Sequence, residues 1–137
     1  MDSLQRFVDA QAPVYPAVCD ELRASRKESH WMWFVFPQLR GLGHSATAQH
    51  YGIASRAEAQ AYALHPVLGA RLRQCMAVLL ASPERSADTV LGETDAMKLK
   101  SCATLFDAVA PQEPVFAQVL QRFFHGERDA RTLALLD

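Results

Sequence analysis

Ser29-His30-Trp31-Met32-Trp33-Phe34-Val35-Phe36-Pro37-Gln38 is the stretch on which the fold turns. It carries both tryptophans of a 137-residue chain and two of its seven phenylalanines. The apolar run from Trp31 to Phe36 cannot turn one face to water in any regular structure, so the segment has to be buried. Burial draws the imidazole of His30 and the carboxamide of Gln38 inward, where each needs a partner. The stretch therefore marks a core and, through its polar ends, a pocket. It names no reaction by itself.

Aromatic residues and Val favour strands, so a buried strand is one reading of the run. The rest of the chain offers no partner strand. That favours a short helix from His30 to about Val35, capped by Ser29, which stops because Pro37 disfavours helical geometry at Phe36.

The signals on both sides are helical. Asp2 or Ser3 caps a first helix with Leu4, Phe7 and Val8 on one face, and Pro13 breaks it. A second carries Tyr15, Val18, Cys19 and Leu22. From Pro37 to Gly52 the chain reads as loop, with one short turn capped by Ser45 and ending near Tyr51. Ser55 and Glu58 have capping-box spacing for a helix to about Leu64. Pro66 suits the first position of the next, which Ser82-Pro83 ends. Ser86 caps a short helix closed by Gly92. Thr94 or Asp95 opens a long helix through Val109. Pro114 starts a strongly apolar one closed by Gly126, and Asp129 caps the last. The expectation is an all-α, compact single-domain bundle of six to eight helices over residues 1–137.

Composition sets limits on function. Half the residues are apolar and 21% are charged, as in ordinary soluble globular proteins. A formal net charge of −1 gives no basic excess for nucleic acid. The longest apolar run is far below the roughly 20 residues needed to span a bilayer, and the N-terminus lacks a signal-peptide pattern. Cys19, Cys75 and Cys102 are odd in number and show no Cys-x-x-Cys spacing. They read as small buried hydrophobes in a reducing cytoplasm, with no disulfide framework or zinc site. No metal motif, cofactor fingerprint or Gly-x-Ser-x-Gly elbow is present, so neither metal nor cofactor is expected. Nothing in the pattern bears on oligomeric state.

Three groups of residues can carry chemistry. His30, at a helix start beside aromatics, is a candidate base or polar anchor, against a plainer role bonding a carbonyl. Trp31 and Trp33 are core, with one indole able to wall a pocket. Gly41 and Gly43 in Gln38-Leu39-Arg40-Gly41-Leu42-Gly43-His44-Ser45 let backbone N–H groups approach a ligand. Ser45 at a helix start completes an anion-site outline, against the plainer reading of a simple turn. On a helical wheel, Lys98 shares the apolar side of Leu99, Cys102, Leu105, Phe106 and Val109. Asp95, three residues earlier, is placed to pair with it. Either Lys98 is used there or its stem lies over apolar surface with its head in water. His65 caps the helix that follows it.

Ser29 to Gln38 is also the most specific part of a family resemblance. Leu-Gln-Arg-Phe-Val-Asp-Ala-Gln at 4–11, Tyr-Gly-Ile at 51–53, His-Pro-Val-Leu-Gly at 65–69 and Lys-Leu-Lys-Ser-Cys-Ala-Thr-Leu-Phe at 98–106 match in order. Together they resemble the bacterial and fungal family called domain of unknown function 1810. The resemblance implies an all-helical domain and no particular activity. The name calpastatin is attached to some members, but a compact, half-apolar chain does not fit that disordered, polar inhibitor. The family pattern includes His30, Trp33, Gln38, Tyr51 and Lys98, which implies that they share one site.

Two functions follow as expectations. One is a small-molecule pocket with His30 and Lys98 as catalytic groups or anchors and Trp33 as an aromatic wall. In it Gln38 reads a polar edge, and Gly41, Gly43, Ser45 and Tyr51 assist. A phosphate-containing metabolite suits that set. The other is a noncatalytic protein-interaction module with a helical groove.

Overall fold

The computed structural model describes residues 4–136. Among them are ten helices: α1 Gln5–Gln11, α2 Tyr15–Arg23, α3 Met32–Val35, α4 Ala46–His50, α5 Arg56–Leu64, α6 Leu68–Ala81, α7 Ala87–Leu91, α8 Glu93–Val109, α9 Pro114–Phe124 and α10 Ala130–Leu136. The all-α class is as expected. The count exceeds six to eight because α3, α4 and α7, of only 4–5 residues each, are separate elements.

α8 is the central element. Residues 101–107 are buried without interruption, so this part of the helix has no solvent face. α5, α7, α9 and α10 pack around it, while α6 bridges α2, α5 and α9. One cluster of buried side chains runs through the middle. Its aromatic spine joins Phe7 edge-on to Tyr62 at 5.1 Å, Tyr62 to Phe106 at 5.4 Å and Phe106 to Phe116 at 5.6 Å. Such ring pairs contribute beyond their buried area. Burial pushes the Cys75 thiol up to about 12 and the Cys102 thiol well above its ordinary value, with neighbouring cysteines adding to the effect. Neither is a poised thiolate.

The local caps follow the sequence closely. Ser45, Ser55 and Ser86 each accept a backbone N–H from the residue three positions on. Asp129 does the same for Thr132 at 3.0 Å. His65 Nδ1 accepts from Val67 and Leu68 at 3.1 and 3.2 Å, the capping role expected of it. With those N–H groups taken, Pro66 stays in the turn and α6 opens at Leu68, two residues later than expected. α8 opens at Glu93 rather than at Thr94 or Asp95. Gly92, with φ +89, both closes α7 and precedes α8, leaving no room for a side-chain cap. His125, with φ +56, closes α9 just ahead of Gly126. The expected caps Asp2 and Ser3 lie outside the described residues.

The decisive stretch shows the largest local departure. α3 covers only Met32–Val35, and Trp31 stands before it with no side-chain cap. Ser29 caps nothing. Its N–H and hydroxyl donate to Glu21 of α2 at 3.0 and 2.5 Å, and the N–H of Glu28 donates to the same carboxylate at 2.7 Å. Glu21 thus turns the chain before the helix can start. Beyond Pro37, Ile53 N–H donates to Gln38 O and Arg40 N–H to Ile53 O, both at 2.9 Å. This isolated parallel bridge between Leu39 and Ile53 closes the loop that carries α4. No helix among the described residues is long and apolar enough to cross a membrane.

Candidate functional site

The two tryptophans are two residues apart and do different things. Trp31 is 1% exposed, packs on Phe36, and its indole N–H donates to Glu21 at 2.9 Å. Trp33 is half-buried, and its indole N–H has no hydrogen-bond partner among the described residues. A lysine lies over each ring: Lys27 Nζ is 5.1 Å from Trp31 and Lys98 Nζ is 4.3 Å from Trp33, both within cation–π range. Asp95 ties the two lysines together. Its Oδ2 is 2.9 Å from Lys27 Nζ and its Oδ1 is 2.9 Å from Lys98 Nζ.

This pairing has electrostatic consequences. Burial pushes the Asp95 carboxyl up, but hydrogen bonds from Lys98 and Lys27 and their charges outweigh it and leave it below its ordinary value. Glu21 follows the same pattern. Burial raises it, but hydrogen bonds from Ser29, Glu28 and Trp31 bring it down to about 2. Two lysines against one carboxylate leave the cluster with one net positive charge.

Trp33 and Lys98 form a ridge between two hollows. The first, about 270 Å³, is also lined by Lys27, His30, Trp31, Phe34, Thr47 and Asp95. The second, about 210 Å³, is also lined by Gln38, Gly43, Met97, Ser101, Asp129 and Arg131. His30 and Lys98, from distant parts of the chain, therefore open onto one space, and Gln38 and Lys98 onto its neighbour. Gly43 fits because a Cβ there would stand 3.0 Å from the Trp33 ring and 2.7 Å from Ala48. A larger hollow of about 690 Å³ around Arg85, Arg122 and His125 contains none of the sequence candidates.

Other candidates lie apart from the ridge. Ser45 spends its hydroxyl on the Ala48 N–H at the start of a five-residue helix. Gly41, with φ +107, faces Leu135 at 3.7 Å. Tyr51 packs against Phe7, Phe34 and His50, behind the wall of the first hollow. His30 reaches the first hollow but is exposed, not drawn inward. The chain turns at Glu21 so that Trp31 points in and its neighbour points out. Gln38 does go inward, at 7% exposure.

With this geometry in place, comparison with known proteins decides the lineage. A family model described as "Protein of unknown function (DUF1810)" matches residues 1–136. The chain belongs to the DUF1810 family. No curated protein matches it. Among solved structures, it is similar to the conserved hypothetical protein Rv1873 from Mycobacterium tuberculosis. The two share 50% sequence identity and a TM-score of 0.95, over 97% of this chain and 95% of that one.

In this DUF1810 chain, sequence reasoning missed Lys27, Glu21 and Arg131. Lys27 sits in the polar run Ser25-Arg26-Lys27-Glu28, which has no periodicity to read. It is turned inward by a tertiary bond from its N–H to Val90 O at 2.8 Å. Glu21 lies on the polar face of α2 and gives no signal beyond that. Arg131 donates to Leu42 O at 3.5 Å, a contact between α10 and the loop after Gln38. Asp95 and Lys98 could be found, because their three-residue spacing puts them on one face.

Proposed function

We propose that the ridge of Trp33 and Lys98, with the hollows beside it, binds a small anionic metabolite, of which a phosphate-bearing one is the best fit. The observation that carries this reading is the placement of Lys98. Its ammonium sits on an indole between two open spaces, in a cluster with one net positive charge. A charge held in one geometry by a carboxylate and a ring loses little freedom on binding. Charge-assisted hydrogen bonds to an oxyanion are among the stronger polar contacts.

Lys98 serves as a charge and donor in this account, since Asp95 occupies it as a nucleophile would not be occupied. His30 stands on the rim of the first hollow, where its imidazole meets solvent and ligand alike. The site thus reads as a binding pocket in which His30 is a polar anchor. The three unpaired thiols fit a reducing, cytoplasmic setting.

The test is a thermal-shift screen of phosphorylated metabolites against the wild type and Lys98→Ala. A compound that raises the wild-type melting temperature and fails to do so in Lys98→Ala supports the reading. Its affinity should fall at least about tenfold in the variant, the scale of one lost charge-assisted bond. A hit indifferent to Lys98, or no hit across the panel, would sink it.

A further inference from the structure

Resting on the anion-binding reading above, we propose that the hollow beside Gln38 recognises a ligand with a lactam-type edge, an N–H next to a C=O, as in a uracil nucleotide. Gln38 is the observation behind this. Its backbone is pinned, because its carbonyl accepts from Ile53 N–H at 2.9 Å. The residue is 7% exposed and lines the hollow. Its carboxamide has no hydrogen-bond partner among the described residues. Its amide atoms are not closed off from the hollow: the one buried side-chain nitrogen or oxygen without a partner among the described residues is Arg122 Nε, so the Gln38 carboxamide is open to a ligand or to water.

Of the other polar groups around this hollow, Thr94 is exposed to solvent and most of the rest have partners within the protein. Asp129 Oδ2 accepts from Ser101 Oγ at 3.2 Å and from Thr132 N–H at 3.0 Å. Lys98 is held by Asp95, and Arg131 reaches Leu42 O. Gln38 is left to face the space with one donor and one acceptor side by side. The complement of that pair is an adjacent acceptor and donor in one plane, which is the edge of a lactam ring. Trp33, Leu42 and Met97 supply apolar walls for such a ring. Lys98 and Arg131 on the same lining supply positive charge for a phosphate attached to it. The two halves of the ligand are thus read by different residues.

Calorimetric titration with uridine monophosphate and with ribose 5-phosphate separates them. The wild type should bind uridine monophosphate at least about tenfold more tightly, the worth of a donor–acceptor pair of hydrogen bonds at about 0.5–1.5 kcal/mol each. Gln38→Leu should bring uridine monophosphate down to the ribose 5-phosphate level and leave ribose 5-phosphate unchanged. Gln38→Met, which keeps the length of the side chain, adds no charge and removes both donor and acceptor, should do the same and guards against a packing defect in the leucine variant. Equal affinities in the wild type, or a base advantage that survives both variants, would overturn the proposal and make solvent the partner of the amide. If ribose 5-phosphate binds and is lost in Lys98→Ala while the base adds nothing, the anion site stands and the lactam reading falls. If neither ligand binds, both fall.

Discussion

Trp31→Ala lowers the free energy of unfolding by about 3–5 kcal/mol, the range for emptying a large buried aromatic site. The ring is 1% exposed, packs on Phe36, carries Lys27 on its face and donates its N–H to Glu21. Removing it leaves a cavity and takes one donor from a carboxylate that also holds Ser29 and Glu28. A domain of this size has about 5–15 kcal/mol to lose, so the variant folds but with a large shift in denaturant midpoint. Trp33→Ala is the internal comparison. Its ring is half-buried and its N–H has no partner among the described residues, so it should lose much less stability than Trp31→Ala. Equal losses at the two positions would show that the division between a core tryptophan and a site tryptophan is wrong.

Asp95→Asn is the second large effect, about 1–3 kcal/mol at neutral pH. Lys27 and Lys98 have side chains 8% and 17% exposed and meet on this one carboxylate. Neutralising it leaves two confined positive charges facing each other, and breaking a buried pair from one side is costly. The lower end of the range reflects partial access to solvent through the first hollow. The effect depends on pH in a defined direction. Asp95 sits below its ordinary value in the folded protein, so its contribution is complete above about pH 4, the unfolded value, and fades as pH falls through the folded one. The deficit of Asp95→Asn relative to wild type, followed by denaturant titration from pH 7 downward, should therefore shrink below about pH 4. A deficit that stays constant over that range would mean that Asp95 acts by shape and not by charge.

Most of the architecture could be read from local chemistry. Ser45, Ser55 and Ser86 cap where their hydroxyls predict, and His65 caps with its ring. Apolar spacing in α2, α6 and α9 places their buried faces. The failures at Ser29 and Asp95 share one cause, which is that the side chain was claimed by another side chain instead of a helix N–H. Ser29 is taken by Glu21, so α3 starts late and His30 swings outward. Asp95 is taken by two lysines and caps nothing. The bridge between Leu39 and Ile53 joins two segments that show no strand pattern.

The site divides along the same line. Lys98 was legible because an α-helix has a fixed period, and Asp95 came with it. Trp33 and Gln38 were legible because a buried run forces its polar ends to be accounted for. Lys27 and Arg131 were not, since only the bond from the segment after α2 to Val90 of α7 and the contact of α10 with the Gln38 loop turn them toward the ridge. Tyr51 is a different case. The resemblance grouped it with the site residues, and it supports the wall of the first hollow from behind through Phe34.

The two indole N–H groups provide the most direct test of the site. They give two side-chain signals in a nitrogen–proton correlation spectrum, one bonded to Glu21 and one without a partner among the described residues. Titrating the protein with ribose 5-phosphate should move the Trp33 indole signal and the Lys98 amide progressively and leave the Trp31 indole in place. A spectrum in which neither indole moves at saturating ligand, or in which Trp31 moves while Trp33 does not, would contradict an anion site on the Trp33–Lys98 ridge.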